Sequence, residues 1–140
     1  MPSKQKTQKV DRSSFINYLK KALECRRAAA RSLASGDWNA AAICAVHSSI
    51  SACDALCVFS LGLRYSGSHH PDASVILLSI SPNDDRFKTN AARLRRVVDI
   101  KNMAEYEVRL VYRKESERAV ADCERFIEFI LSQLPAGDAE

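Results

Sequence analysis

The stretch "DWNAAAICAVHSSISACDALCVFSLG", residues 37–62, constrains the fold more than any other part of this 140-residue chain. Read as a helix, it has Ala, Ser and Cys over most of its circumference, with Ile43, Val46, Ile50, Leu56 and Phe59 between them. Small residues on every side mean close neighbours on every side. The segment is therefore expected at the centre of a helical bundle, closed near Gly62.

The flanking sequence supplies the neighbours. From Ser13 to about Ser35, Phe15, Tyr18, Leu19, Ala22, Ala29 and Leu33 keep helical spacing, while Lys20, Lys21, Arg26, Arg27 and Arg31 take other faces. "SGDW" then reads as a tight turn, with Gly36 as a stop and Asp37 as the next N-cap. After the polar loop "RYSGSHHPDAS" comes a short apolar helix, "ASVILLSI", with Pro71 and Asp72 placed for its first turn. "SPND" predicts Ser81 as the cap of a fourth helix with Pro82 at its first position. That helix carries Phe87, Ala91, Leu94 and Val98 on one stripe and Arg86, Lys88, Arg93, Arg95 and Arg96 mainly elsewhere. "EVRLVYR" loses the helical period and reads as a bend or a looser helix. A last helix is expected from about Glu115, with Ala119, Val120, Cys123, Phe126, Ile127 and Ile130 inward.

With 46 % apolar residues and only four Gly and four Pro, the chain predicts one all-α domain over residues 13–134, an antiparallel, up-and-down bundle of four to five helices. Residues 1–12, polar and basic, are expected to be a disordered tail, as are residues 135–140. The N-terminal segment has no apolar core of the kind a secretory signal needs, and no uninterrupted apolar run approaches the length of a bilayer span. Five Cys cannot all pair with one another, and Cys25, Cys44, Cys53 and Cys57 sit among apolar neighbours in helices, so a reducing cytoplasm is the expected setting and no membrane partner is implied. A net charge of +4 permits an anionic partner without demanding one.

Several chemistries have no motif here. There is no Glu-x-x-His pair for a ferritin-like metal site, no P-loop, no GxGxxG and no nucleophile elbow. Cys53 and Cys57, one turn apart, with His69 and His70 beyond them, are the nearest approach to a zinc site. They lack a CxxC pair or a second closed ligand set, so neither a metal nor a cofactor is expected. His47, Ser51 and Asp54 lie along one side of the central helix. They serve either as polar groups satisfied by neighbouring helices or, in the case of Asp54, as the counter-charge of Lys101, which falls on the apolar stripe of the fourth helix and needs a partner there. The basic residues of "RFKTNAARLRR" suit either a solvated face or phosphate contact, and few aromatic residues stand among them for base stacking.

The order of these features resembles the HEPN domain family of small helical bundles. The pieces that carry the likeness are "LKKALECRRAAARSLASGDWNAAAICAVHSSISACDALCV", similar to the family's opening helix pair, "SGSHHPDASVILL", similar to its loop and short helix, and "IKNMAEYE" followed by "ESERAVADCERFIEFI", similar to its closing segment. RNase members of the family carry an Arg, often an Asn directly after it, and a His four to six residues beyond the Arg. On that motif Lys101 falls at the Arg, Asn102 at the Asn and Tyr106 at the His. The resemblance implies a homodimer, a nucleotide or RNA ligand, and a nucleotidyltransferase partner of the toxin–antitoxin or defence type.

The substitutions weaken catalysis more than binding. Tyr ordinarily titrates near pH 10 and is a poor proton carrier at neutrality, whereas Lys still offers a point charge to phosphate. Residues five apart on an ideal helix point about 140° from each other, so Lys101 and Tyr106 meet only where the helix is distorted or where two protomers share a groove. The leading expectation is a HEPN-like binding protein, with Lys101, Asn102 and Tyr106 lining a groove, Asp54 supporting Lys101, and Arg95 and Arg96 extending the positive surface. The second is a metal-independent RNase in which His69 or His70 supplies the missing proton carrier. A third is a protein-interaction bundle without a ligand site.

Overall fold

The computed structural model describes residues 5–135. Among them are five α-helices and one short antiparallel ribbon: β1 (Thr7–Lys9), α1 (Phe15–Ala34), α2 (Trp38–Leu61), β2 (Leu63–Tyr65), α3 (Ala73–Ile80), α4 (Asp85–Tyr106) and α5 (Arg113–Gln133). The all-α bundle expected from the sequence is the architecture observed.

The central helix is α2, which packs against all four other helices. Ala41, Ala42, Ala45, Ala52 and Ala55 are wholly buried, and Cys53, Leu56, Cys57 and Val58 fill the space around them. Alanine at the contacts brings helix axes close, so serine hydroxyls reach backbone carbonyls without leaving a void. The Ser48 hydroxyl donates across to the Ala22 carbonyl of α1 at 2.7 Å, and that of Ser49 donates back along its own helix to Ala45 at 2.9 Å. By length and composition α2 could cross a bilayer, but 67 % of its most apolar window is buried inside the bundle. Leu23, Leu77, Leu94, Phe126, Ile127 and Ile130 complete the core from the other helices.

The two breaks around α2 lie where glycine permits them. Gly36 (φ 78°) turns α1 into α2, and Gly62 (φ 67°) ends α2 in the left-handed conformation, its N–H bonded to the Val58 carbonyl. Asp37 occupies the N-cap position of α2 but makes no side-chain capping bond.

The structure corrects the expected boundaries at three places. The N-terminal segment is built into the domain from residue 7: Thr7, Gln8 and Lys9 pair with Tyr65, Arg64 and Leu63, Val10 N–H bonds to Gly62 and Ser66 N–H to Lys6. The polar loop after α2 offers this segment unpaired backbone groups, and the ribbon satisfies them. Asp84, not Ser81, caps α4, its carboxylate accepting from the Arg86 N–H at 2.8 Å, while Pro82 lies in the preceding turn. Finally, α5 begins at Arg113, its entry fixed by the Tyr112 N–H donating to Glu115 Oε1 at 2.8 Å. The segment 107–112 before it is non-helical and pinned to α2 by the Val111 N–H, which donates to Asn39 Oδ1 at 2.9 Å. Of the expected C-terminal tail, residues 136–140 lie outside the described residues.

Candidate functional site

Of the residues singled out from sequence, Lys101, Asn102 and Tyr106 lie at the C-terminal end of α4, His47 on the adjoining face of α2, and His69 and His70 in the turn that precedes α3. Lys101 continues the apolar stripe of α4 and is half-buried. Its Nζ lies 3.3 Å from Glu105 Oε2 and 3.4 Å from the Tyr106 hydroxyl, and 5.1 Å from the centroid of the Tyr106 ring. Lys101 and Tyr106 therefore meet within one chain. The last turn of α4 allows it: the Glu107 N–H bonds to the Asn102 carbonyl, five residues back, and this widened turn carries Tyr106 around toward Lys101.

Asp54 does not support Lys101. It is buried near Arg64 of β2, with Oδ2 3.5 Å from Arg64 Nε, and Arg64 in turn donates to Gln8 of β1 at 3.0 Å. Burial pushes the Asp54 carboxyl up to about 6, with Arg64 and Lys21 pulling the other way. The counter-charge of Lys101 is instead Glu105, one turn along its own helix. Of the two Glu105 oxygens, Oε2 faces Lys101, while Oε1 lies 3.3 Å from His47 Nε2 of α2 without a hydrogen bond, a contact that is an ion pair only when His47 is protonated. The polar side of α2 is thus divided, His47 going to the end of α4 and Asp54 to the ribbon. Desolvation disfavours the Lys101 ammonium, but the bonds to Tyr106 and Glu105 outweigh it and its pKa is raised.

A cleft of about 190 Å³ opens beside Lys101. One wall is the turn Ser68, His69, His70 and Pro71, and the other is Val98, Asp99, Lys101 and Asn102 of α4. His70 is part-buried, edge-on to the Tyr65 ring at 6.2 Å. Burial, then the positive charge of Lys101, holds its pKa below the usual imidazole value, against the pull of Glu105. The turn itself is held by the His69 N–H, which donates to the Tyr65 hydroxyl at 2.9 Å. This contact joins the cleft wall to the ribbon.

The two arginines expected to extend the positive surface part company. Arg95 is exposed two helical turns before Asn102 and shares its face. Arg96 is turned to α5, 3.4 Å from Asp122, with Arg93 3.7 Å from the same carboxylate, and so is committed elsewhere.

Three of the five cysteines, Cys53, Cys57 and Cys123, lie in the core, and Cys25 and Cys44 are half-buried. Cys53 and Cys57 are buried, the Cys53 thiol pointing at the Ala73 carbonyl at 3.8 Å, and all five cysteines are free thiols. Among the described residues, no group of three His, Cys, Asp or Glu side chains is arranged to hold a metal. Glu105, which organises Lys101, is the residue sequence reasoning missed. Its signal was the i, i+4 spacing from Lys101. No family model, no curated protein and no solved structure matches this chain, so its likeness to HEPN domains rests on the sequence pieces alone.

Proposed function

We propose that the cleft between the His69–Pro71 turn and the end of α4 binds a phosphate group of a nucleotide or of RNA, with Lys101 as the principal contact. The observation that carries this reading is the half-buried Lys101 ammonium, kept charged at the wall of a small cleft by neighbours that leave part of it facing the opening. A lysine needing only a structural partner would be satisfied by Glu105. Here Lys101 has two partners, Glu105 and the Tyr106 hydroxyl, and three N–H donors, so the ammonium at the cleft wall retains one donor for an added anion. The energetic exchange is favourable: a partly exposed ion pair is worth about 0–1 kcal/mol, and a charge-assisted bond to phosphate roughly 1.5–3 kcal/mol. Asn102 adds a neutral donor, while Asp99 on the same wall disfavours crowding of negative charge. At about 190 Å³ the cleft suits one phosphate with its sugar better than an engulfed nucleotide, since pockets for whole small molecules run to about 300 Å³ or more. Titration of a nucleoside monophosphate and of a short RNA, followed by NMR of the imidazole and amide signals, tests this. Equal affinity for the parent and for a Lys101→Ala, Tyr106→Phe variant would end the proposal.

A second reading, RNA cleavage, is favoured by one observation: His70, held below its usual pKa, stands across the same cleft from Lys101. A neutral imidazole there is suited to accept the proton of a ribose 2′-hydroxyl as that oxygen bonds to phosphorus and the P–O5′ bond breaks, with Lys101 facing the charge on the phosphorus oxygens and water protonating the leaving oxygen. Incubation with mixed RNA in EDTA separates the two readings. Cleavage by the parent that is lost in His70→Ala supports catalysis, and intact RNA with both proteins leaves binding alone.

A further inference from the structure

The five free thiols differ in access. Cys53, Cys57 and Cys123 are buried, whereas Cys25 of α1 and Cys44 of α2 are half-buried and open to a small reagent. The hairpin that carries these two has a register fixed at three levels. It turns at Ser35 and Gly36, the Ser48 hydroxyl reaches the Ala22 carbonyl, and Ala29 and Ala41 are both buried between those points. Ala22 and Ser48 lie thirteen residues to either side of Ser35, and Ala29 and Ala41 lie six. Cys25 and Cys44 lie ten residues before it and nine after it, so they are out of level by one residue, about 1.5 Å.

Helical rotation brings both to the same rim of the contact. Cys25 comes three residues after Ala22 and is turned about 60° from it, while Cys44 comes four before Ser48 and is turned about 40°. In an antiparallel pair these two rotations go to the same side. With axes about 8–9 Å apart, as alanine contacts allow, the two α-carbons stand about 5–6 Å from each other, within the roughly 4.4–6.8 Å that a disulfide spans. The two thiols also sense each other: burial first, then Cys44, then Glu24, raises the Cys25 thiol above its ordinary pKa.

We propose that Cys25 and Cys44 form a reversible disulfide site, closed by exchange with a small-molecule disulfide of the glutathione type and stapling α1 to α2. One cysteine thiolate attacks a sulfur of the glutathione disulfide, which forms a mixed disulfide and expels one glutathione thiolate. The other cysteine thiolate then attacks the protein sulfur of the mixed disulfide, the Cys25–Cys44 bond forms and the second glutathione thiolate leaves. The protein gives up two electrons, the glutathione disulfide takes them, and the two thiol protons end on the expelled thiolates. A thiol of raised pKa is a slow attacker at neutral pH and a poor leaving group, so the staple forms slowly and resists reduction once formed. The bond closes a loop through the Ser35–Gly36 turn and so restricts the unfolded chain more than the hairpin it joins. The staple needs no ligand in the cleft and stands or falls apart from the phosphate reading.

Incubation of the folded parent with excess oxidised glutathione at about pH 8 tests it, since thiolate is more abundant there. Remaining thiols are then alkylated, and the bridged peptides are identified by mass spectrometry after proteolysis. The parent is expected to lose two hydrogens, to carry one Cys25–Cys44 bridge, and to melt about 5 °C or more higher than its reduced form by circular dichroism. Cys25→Ser and Cys44→Ser, each a near-isosteric change at a half-buried position, are expected to form no internal bridge and to show no such rise. A parent that gains no bridge, one that keeps glutathione on both cysteines, a bridge that includes Cys53, Cys57 or Cys123, an oxidised form that melts no higher than the reduced one, or a serine variant that still bridges internally overturns the proposal.

Discussion

Asp54 is the only carboxylate among the described residues that is buried in the bundle, and its titration makes a quantitative claim about stability. Its ordinary value of 3.8 is raised to about 6, chiefly by burial, because Arg64 at 3.5 Å and Lys21 only partly compensate. A carboxyl whose folded pKa is raised holds its proton more tightly in the folded chain than in the unfolded one. Below about pH 4 both states are protonated and the fold is at its best with respect to this group. As pH rises toward 6 the unfolded chain ionises freely while the folded chain resists, and stability falls, levelling off above the folded value. A rise of about two pH units at 1.36 kcal/mol each gives roughly 3 kcal/mol lost between about pH 4 and about pH 7. Asp54→Asn removes the titration and keeps the shape. Urea unfolding of both proteins, followed by Trp38 fluorescence, gives the stability of parent minus variant at each pH, and other titrating groups such as Glu115 and His70 cancel because both proteins carry them. The difference is expected to fall by about 3 kcal/mol as pH rises. A difference that stays flat, or that rises with pH, would refute the reasoning.

Three further changes probe the fold. Ala45→Leu adds a side chain where Ala45 is wholly buried between helices and should cost about 1–3 kcal/mol or more by overpacking, read from the shift in the urea midpoint. Asn39→Ala deprives the Val111 N–H of its acceptor and should cost roughly 1–2 kcal/mol, with faster hydrogen exchange confined to the segment before α5. Gly62→Ala forces a β-carbon onto a backbone with φ 67° and should lower stability by about 1 kcal/mol in thermal unfolding, as the space around that carbon is otherwise free of closer contact than 3.5 Å.

Much of the bundle could be read from the chain because the relevant signals were local and numerous. The small residues of α2 predicted a helix with neighbours all round, and Gly36 and Gly62 marked its ends. The ribbon escaped notice because "TQK" carries no strand pattern of its own; it is ordered by the backbone groups of a segment more than fifty residues away. The cap of α4 is ambiguous in the sequence because Ser81 and Asp84 are both good caps three residues apart, and only the turn between them decides which one faces the helix. At the cleft, Lys101 was legible as an oddity on an apolar stripe. Its partner was not, since Asp54 and Glu105 were both available carboxylates and the choice depends on the tertiary placement of Arg64. The approach of Tyr106 to Lys101 depends on a single widened turn, which spacing on an ideal helix argues against.

The ribbon also sets an order for folding. Helices α1 and α2 are neighbours in sequence and can form their hairpin early, but Thr7 meets Tyr65 only across the whole of that hairpin. Pairing is entropically cheap once the hairpin has already brought the two segments together, and costly before. Tyr65, the last residue of β2, is also the side chain that holds the His69 backbone in place. The wall of the cleft is therefore completed only after the bundle beneath it, and a chain that has collapsed but not yet zipped its first strand would have a core without a finished site.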